Sequence, residues 1–163
     1  MTDTKERVYA YLAERLQYED GKLVWNANAR KDRVGKVAGR KDALGYLRIH
    51  ALGKTMVAVH RVIFYMHHGW VPELVDHIDG DNCNNRIENL RAATRLGNSR
   101  NCKTPATNTS GVKGVYWREA AQCWIASIRI NKKLTHLGTF KDIFSAACAR
   151  KSAEARHYGE FAR

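Results

Sequence analysis

The 163-residue chain is short of several things at once. It has two prolines, no run of about 18 apolar residues that would cross a bilayer as a helix, and few acidic residues for its basic ones. Its opening, MTDTKERVYAYLAERL, is charged and lacks the apolar centre of a signal peptide. The four cysteines, Cys83, Cys102, Cys123 and Cys148, form no C-x-x-C pair, so a structural zinc site is not expected. With no export signal, disulfides are not expected either, and the sequence points to the cytoplasm.

What the chain has is positive charge: 28 Lys and Arg against 16 Asp and Glu, a net +12. A soluble chain this basic implies a polyanionic partner, nucleic acid first, because Lys and Arg release counterions from phosphates. The charge is uneven: residues 1–55 carry +5, residues 56–103 only +1, and residues 104–163 carry +6. Basic flanks suited to phosphates therefore enclose a nearly neutral centre, and a neutral centre suits a cation held near carboxylates.

Taken in order, residues 3–16 space Val8, Leu12 and Leu16 as one apolar helical stripe. From Gly21 the pattern changes to β-like pieces, KLVW, VGKVAG, GYLRIH and KTMVAV, punctuated by glycines as hairpins are. Residues 22–54 hold nine basic and two acidic side chains, so this region reads either as a DNA-tracking surface or as a solvated face. HRVIFYMHH (60–68) predicts a short helix stopped by Gly69, with Arg61 as a candidate phosphate contact.

The densest cluster of metal-capable and proton-accepting side chains lies in residues 75–103, VDHIDGDNCNNRIENLRAATRLGNSRNCK. A strand from Leu74 should end at Asp76-His77, and Asp79-Gly80-Asp81-Asn82 is strong turn chemistry. Residues 89–93 should return antiparallel, with Thr94 as an N-cap for a helix from Arg95 to about Lys103. A calcium loop of the EF-hand kind does not fit, because Arg86 stands where its Glu would be. This strand–loop–strand–helix order, with His77, Asn89 and Asn98 at its nodes, resembles the HNH nuclease family with its ββα-metal fold, and more closely the phage- and intron-associated homing endonucleases.

A phosphodiester is hydrolysed by a deprotonated water, with charge neutralised at the phosphate and the leaving 3′ oxygen. A neutral imidazole takes a proton at pH 7, which makes His77 the candidate general base. Asp76 and the Asn98 amide are hard oxygen donors suited to Mg²⁺, and Mn²⁺ would also serve. The resemblance implies that Asn89 bonds across the loop and orients His77 without touching metal. It also implies products with a 5′-phosphate and a 3′-OH.

After TPATNTS (104–110), which reads as a linker, come the β-like pieces GVKGVYWRE, CWIASIRI and LTHLGTF, then an Ala-rich helix over 142–158. VKGV, W-x-A-x-I-R, LGTF and this helix resemble the AP2 DNA-binding domain in family order. The resemblance implies that one face of a three-stranded sheet enters the major groove, with contacts from Lys113, Arg118, Trp124, Arg129 and His136. His136 departs from the Trp usual in the plant proteins, so their target sequence does not carry over. For Trp117 and Trp124 a core role stays open beside the DNA role.

The expected fold class is α+β: an N-terminal helix and hairpins (1–55), a ββα-metal unit (56–103), a linker (104–110), and a three-stranded sheet with one packed helix (111–163). The expected function is a site-specific, homing-type DNA endonuclease acting on double-stranded DNA. It would be phage-encoded, resident in the bacterial cytoplasm without a membrane partner, and monomeric on its asymmetric modules. A DNA-binding regulator with an inactive HNH scaffold is the alternative, and a dimeric restriction-type enzyme would differ in symmetry.

Overall fold

A computed structural model describes residues 3–53, 55–101, 104 and 107–162. It divides into two compact units, Met1–Arg95 and Leu96–Arg163, and its class is α+β as the sequence predicts.

The first unit opens with helix α1 (Asp3–Ala13), then the hairpin β1 (Leu16–Glu19) and β2 (Lys22–Trp25). The hairpin turn is Asp20-Gly21, both at positive φ. β3 (Arg40–Lys41), β4 (Leu47–His50) and β5 (Met56–Ala58) form a second antiparallel sheet and lead into α2 (Val59–His68). Gly69 ends α2 at φ 76° and donates its N–H to Tyr65 O, the left-handed stop that the sequence implies. β6 (Leu74–His77) and β7 (Leu90–Ala93) then pair antiparallel, His77 opposite Leu90.

One core unites these pieces. Leu12, Leu16, Leu23, Ile49, Val59, Val62, Ile63, Val75 and Leu90 are all buried in it. Each buried Leu or Ile contributes about 1.5–3 kcal/mol, so residues 1–55 and the β6–β7 hairpin stabilise each other directly. The expected VGKVAG strand is a loop attached by a single bridge, Val24 to Val37. Two of its six residues are glycines at positive φ, Gly35 and Gly39, which a ladder does not accommodate.

The second unit begins inside α3 (Arg95–Asn101), on which a Cβ at Gly97 would meet the Phe161 ring at 2.9 Å. The remainder of the expected helix, Cys102 and Lys103, lies outside the described residues. β8 (Val115–Arg118), β9 (Cys123–Ile130) and β10 (Lys133–Phe140) form an antiparallel sheet with β9 central. The β9–β10 turn is Asn131-Lys132 with φ 47° and 68°, the geometry two-residue hairpins favour.

Helix α4 (Ile143–Tyr158) packs on this sheet, capped by Asp142 Oδ1, which accepts from Ser145 N at 2.8 Å. Ala146 and Ala153 let α4 approach Val115, Ala126 and Ile128. β8 is short, so the far half of β9 has a free edge, and α4 covers it. Arg150 Nη1 donates to Ser127 O at 2.8 Å and Tyr158 Oη donates to Arg129 O at 3.0 Å. No described helix is long and apolar enough to cross a membrane.

Candidate active site

β6 ends at His77, and the loop that follows is held by its own Asx side chains. Asp79 Oδ1 accepts from Asp81 N at 2.7 Å and Asp79 Oδ2 from Asn84 Nδ2 at 2.7 Å. Burial works to raise the Asp79 pKa, but the Asp81 N–H and the Asn84 and Asn89 amides outweigh it and hold the group below its ordinary value. Asn89 closes the loop. Its Oδ1 accepts from Asp79 N at 3.0 Å, and its Nδ2 donates to Asp79 Oδ1 at 3.0 Å and to Asn84 O at 2.8 Å.

The N-terminal hairpins grip the same loop from outside. Arg86 pairs with Asp20 at 2.7 Å across the β1–β2 turn, and Ile87 N donates to Tyr18 Oη at 3.2 Å. A Cβ at Gly21 would stand 3.0 Å from Arg86 N, so the turn needs glycine for closeness as well as for its φ of 84°. On the other side Asn82 Nδ2 donates to Leu44 O and Cys83 Sγ to Gly45 O. That turn is organised by Asp42, which accepts from Leu44 N and Tyr46 N and pairs with Arg48 at 3.0 Å.

His77 is only 4% exposed. Its ring meets His60 edge-on at 4.9 Å and lies 6.2 Å from Tyr46. His77 Nε2 lies 2.9 Å from Asn85 Oδ1, and Asn85 is itself 2% exposed. With the Asn85 amide oxygen as the acceptor, the His77 ring donates from Nε2. Burial first, then His77, Arg61 and Arg48, bring the His60 pKa down from 6.5 to about 3, so at neutral pH His60 is an uncharged neighbour.

Asp76 takes the other face of the strand, as alternation requires. It is buried, and Arg91, directly across the hairpin, donates to Asp76 Oδ2 from Nε at 3.0 Å and from Nη2 at 2.8 Å. Asp76 and His77 thus share a strand end and face opposite sides of it. Asn89 braces the loop after His77, while the ring itself is held by Asn85, a residue that sequence reasoning missed. The doubled Asn84-Asn85 was the available signal. Asn98 lies half-buried on α3 in the second unit.

The expected phosphate contact at Arg61 meets a different use. Its Nε donates to Tyr9 Oη, Nη1 to Glu73 O and Nη2 to Pro72 O, all within 3.0 Å, which staples α2 to α1 and to the approach to β6. In the second unit, register puts Arg118, Arg129 and His136 on one sheet face, all exposed: Arg118 lies opposite Cys123, and His136 opposite Ser127. Trp124 points to the other face, half-buried against Val115, Ala126 and Ala146 under α4, with Trp117 T-stacked at 5.3 Å. That placement separates it from the other expected contacts. Lys113, just before β8, lines a depression of about 320 Å³ at the β9 edge beyond β8, together with Arg129.

The profile of the family described as HNH endonuclease matches residues 57–100, which covers α2, the hairpin and the loop. Over 89 residues the chain is also 35% identical to Protein 3.8 of Escherichia phage T7, spanning 55% of this chain and 73% of that protein. The chain belongs to the HNH endonuclease family. The matched span holds Asp76, His77, Asn85, Asn89 and Asn98, so the Asx-rich loop and the buried imidazole are features of its HNH domain. No solved structure matches the chain.

Proposed function

We propose that the protein is a site-specific, homing-type DNA endonuclease that hydrolyses phosphodiesters with His77 as general base. The observation that carries this reading is a buried imidazole within the HNH span, held through Nε2 by Asn85. Water gives its proton to the His77 imidazole as its oxygen bonds to phosphorus. The P–O3′ bond breaks and the departing 3′ oxygen takes a proton from a solvent water, leaving a 5′-phosphate and a 3′-OH. Asn89 keeps the loop after His77 closed, so the ring meets the substrate in one orientation.

The donor chemistry suits a hard divalent cation. Asp76 and Asn98, assigned on the family match that spans both, offer oxygens, and Mg²⁺ is ordinarily held by few protein ligands with water and phosphate completing its shell. The bound cation, Mg²⁺ or Mn²⁺, would neutralise charge at the scissile phosphate and the departing oxygen. Arg91 fixes the orientation of the Asp76 carboxylate.

The second unit serves as the AP2-like reader of duplex DNA. Arg118, Arg129 and His136 present one face and Lys113 flanks it, a set suited to phosphate and guanine contact. Trp124 supports that sheet from behind. The protein acts as a monomer on an asymmetric site and is phage-encoded, working in the host cytoplasm. A DNA-binding regulator with an inactive HNH scaffold is favoured by one observation, the Asp76–Arg91 ion pair that occupies Asp76 Oδ2. Incubation with phage and host DNA plus Mg²⁺, with both strands mapped, separates the two. Defined 5′-phosphate ends support the endonuclease; bound but uncut DNA supports the regulator.

A further inference from the structure

The end of α1, the β1–β2 hairpin, residues 26–33 and the turn after β4 surround an open depression of about 430 Å³ in the first unit. Arg15, Arg30, Arg33 and His50 line it, and no Asp or Glu does. Two of the arginines lie on aromatic rings that line the same depression. Arg15 sits 3.9 Å from the centre of the Tyr11 ring, and Arg33 sits 5.2 Å from that of Trp25. Arg15 is anchored further through Nη1 to Tyr11 O and Glu14 Oε2, both at 3.1 Å. Arg30 is balanced by Asp32 at 3.2 Å. The Arg33 side chain makes no hydrogen bond or ion pair with any described residue.

A guanidinium laid on a ring has its plane fixed and its N–H edge directed outward. Arg15 shares its fork with Glu14 and Arg30 pairs with Asp32, so the Arg33 fork is the one prepared for a bidentate anion with little ordering cost. The volume lies within the range of ordinary ligand sites, about 300–1,000 Å³. Trp25 decides between two occupants. Its face is covered by Arg33, so it is not a platform for an unstacked base, as single-strand binding would use.

We infer that this hollow, from Tyr11 and Arg15 across to Trp25 and Arg33, is a phosphate clamp for the backbone of duplex DNA, separate from the HNH loop. The identity of the strand rests on the endonuclease reading; the anion clamp does not. The contacts are sequence-independent and add a second anchor on the catalytic unit itself. The nine basic residues between 22 and 54 then serve to seat the duplex as well as to solvate a surface.

The test is fluorescence anisotropy of the full chain on a random-sequence DNA duplex, with divalent metal chelated, over a range of salt. Arg33→Ala should weaken binding about ten-fold at low salt and make the slope of log K against log salt shallower by about one. Adding Arg15→Ala should take away about one more. Arg33→Lys should keep the slope and lose affinity. Arg33→Ala, which loses only the contact with Trp25, should lower the thermal midpoint by no more than a few degrees, so a ten-fold fall in binding far below that midpoint is not a folding effect. Unchanged affinity and slope in Arg33→Ala overturns the clamp, and a larger loss on single-stranded RNA than on the duplex overturns its assignment to DNA. Cleavage of phage and host DNA by the wild-type chain with Mg²⁺ reads the endonuclease separately. Its absence beside a normal Arg33→Ala effect rejects the nuclease and leaves the clamp.

Discussion

Asn85→Ala separates holding the fold from holding the base. The substitution removes the acceptor that lies 2.9 Å from His77 Nε2 inside a site where both residues are almost fully buried. Taking one partner from a buried hydrogen bond costs about 1–3 kcal/mol. The same change removes Asn85 Nδ2, a buried amide nitrogen with no hydrogen-bond partner, and relieves a comparable penalty. The small cavity left behind adds a fraction of the cost of a larger deletion. Net destabilisation should therefore be about 1 kcal/mol, a few degrees in Tm for a unit of this size. Cleavage should suffer more, because the bond that fixes the proton on Nε2 is gone and the ring is free to take either tautomer. We expect a fall of about 10–100-fold in single-turnover rate, the range seen when an outer partner of a catalytic or metal-bound imidazole is lost. The assay pairs thermal unfolding with metal-initiated cutting of DNA that carries the mapped site, under excess enzyme. A rate within two-fold of wild type, at about equal stability, would refute the positioning role of Asn85.

Three further outcomes follow from the packing. Gly114→Ala should destabilise the second unit by about 2–5 kcal/mol, because Gly114 has φ 75° and its Cβ would stand 2.4 Å from Ser127 O. A denaturant midpoint near wild type would contradict that. His60 is neutral when folded and binds a proton readily when unfolded, so its contribution is intact above 6.5 and is lost as pH falls from 6.5 towards 3. Stability should drop by up to about 1.4 kcal/mol per pH unit there, and His60→Asn should flatten that slope in urea titrations. Arg91→Met leaves Asp76 buried without its guanidinium and should cost about 3–5 kcal/mol. A thermal midpoint matching wild type would remove the ion pair from the list of essential supports.

Much of this was readable from local rules. Gly69 after an apolar helical face fixes where α2 stops, and Asn131-Lys132 fixes the β9–β10 hairpin. The alternating run Val75-Asp76-His77 before an Asx-rich loop locates the HNH hairpin. The parity of β9 also held the answer for Trp124, which shares its side with Ala126, Ile128 and Ile130, not with Arg129. Other features depend on closure in three dimensions. Several Asp and Asn side chains between 79 and 89 could have met the His77 ring, and only the fold of the loop selects Asn85. Arg61 reads as an ordinary basic residue, yet Tyr9 Oη and two carbonyls fifty-two, twelve and eleven residues away draw it inward. The pairing of Arg33 with Trp25 likewise needs the 26–33 loop to fold back on β2.

The central claim is that His77 is the proton acceptor of a metal-dependent DNA endonuclease, and His77→Ala tests it most directly. Wild-type chain and variant are incubated with phage and host DNA plus Mg²⁺, and cut ends and DNA affinity are measured on the same preparations. The account predicts defined 5′-phosphate ends from the wild type and none from His77→Ala, with DNA affinity nearly equal between the two. Retained cutting by His77→Ala at a comparable rate would contradict it.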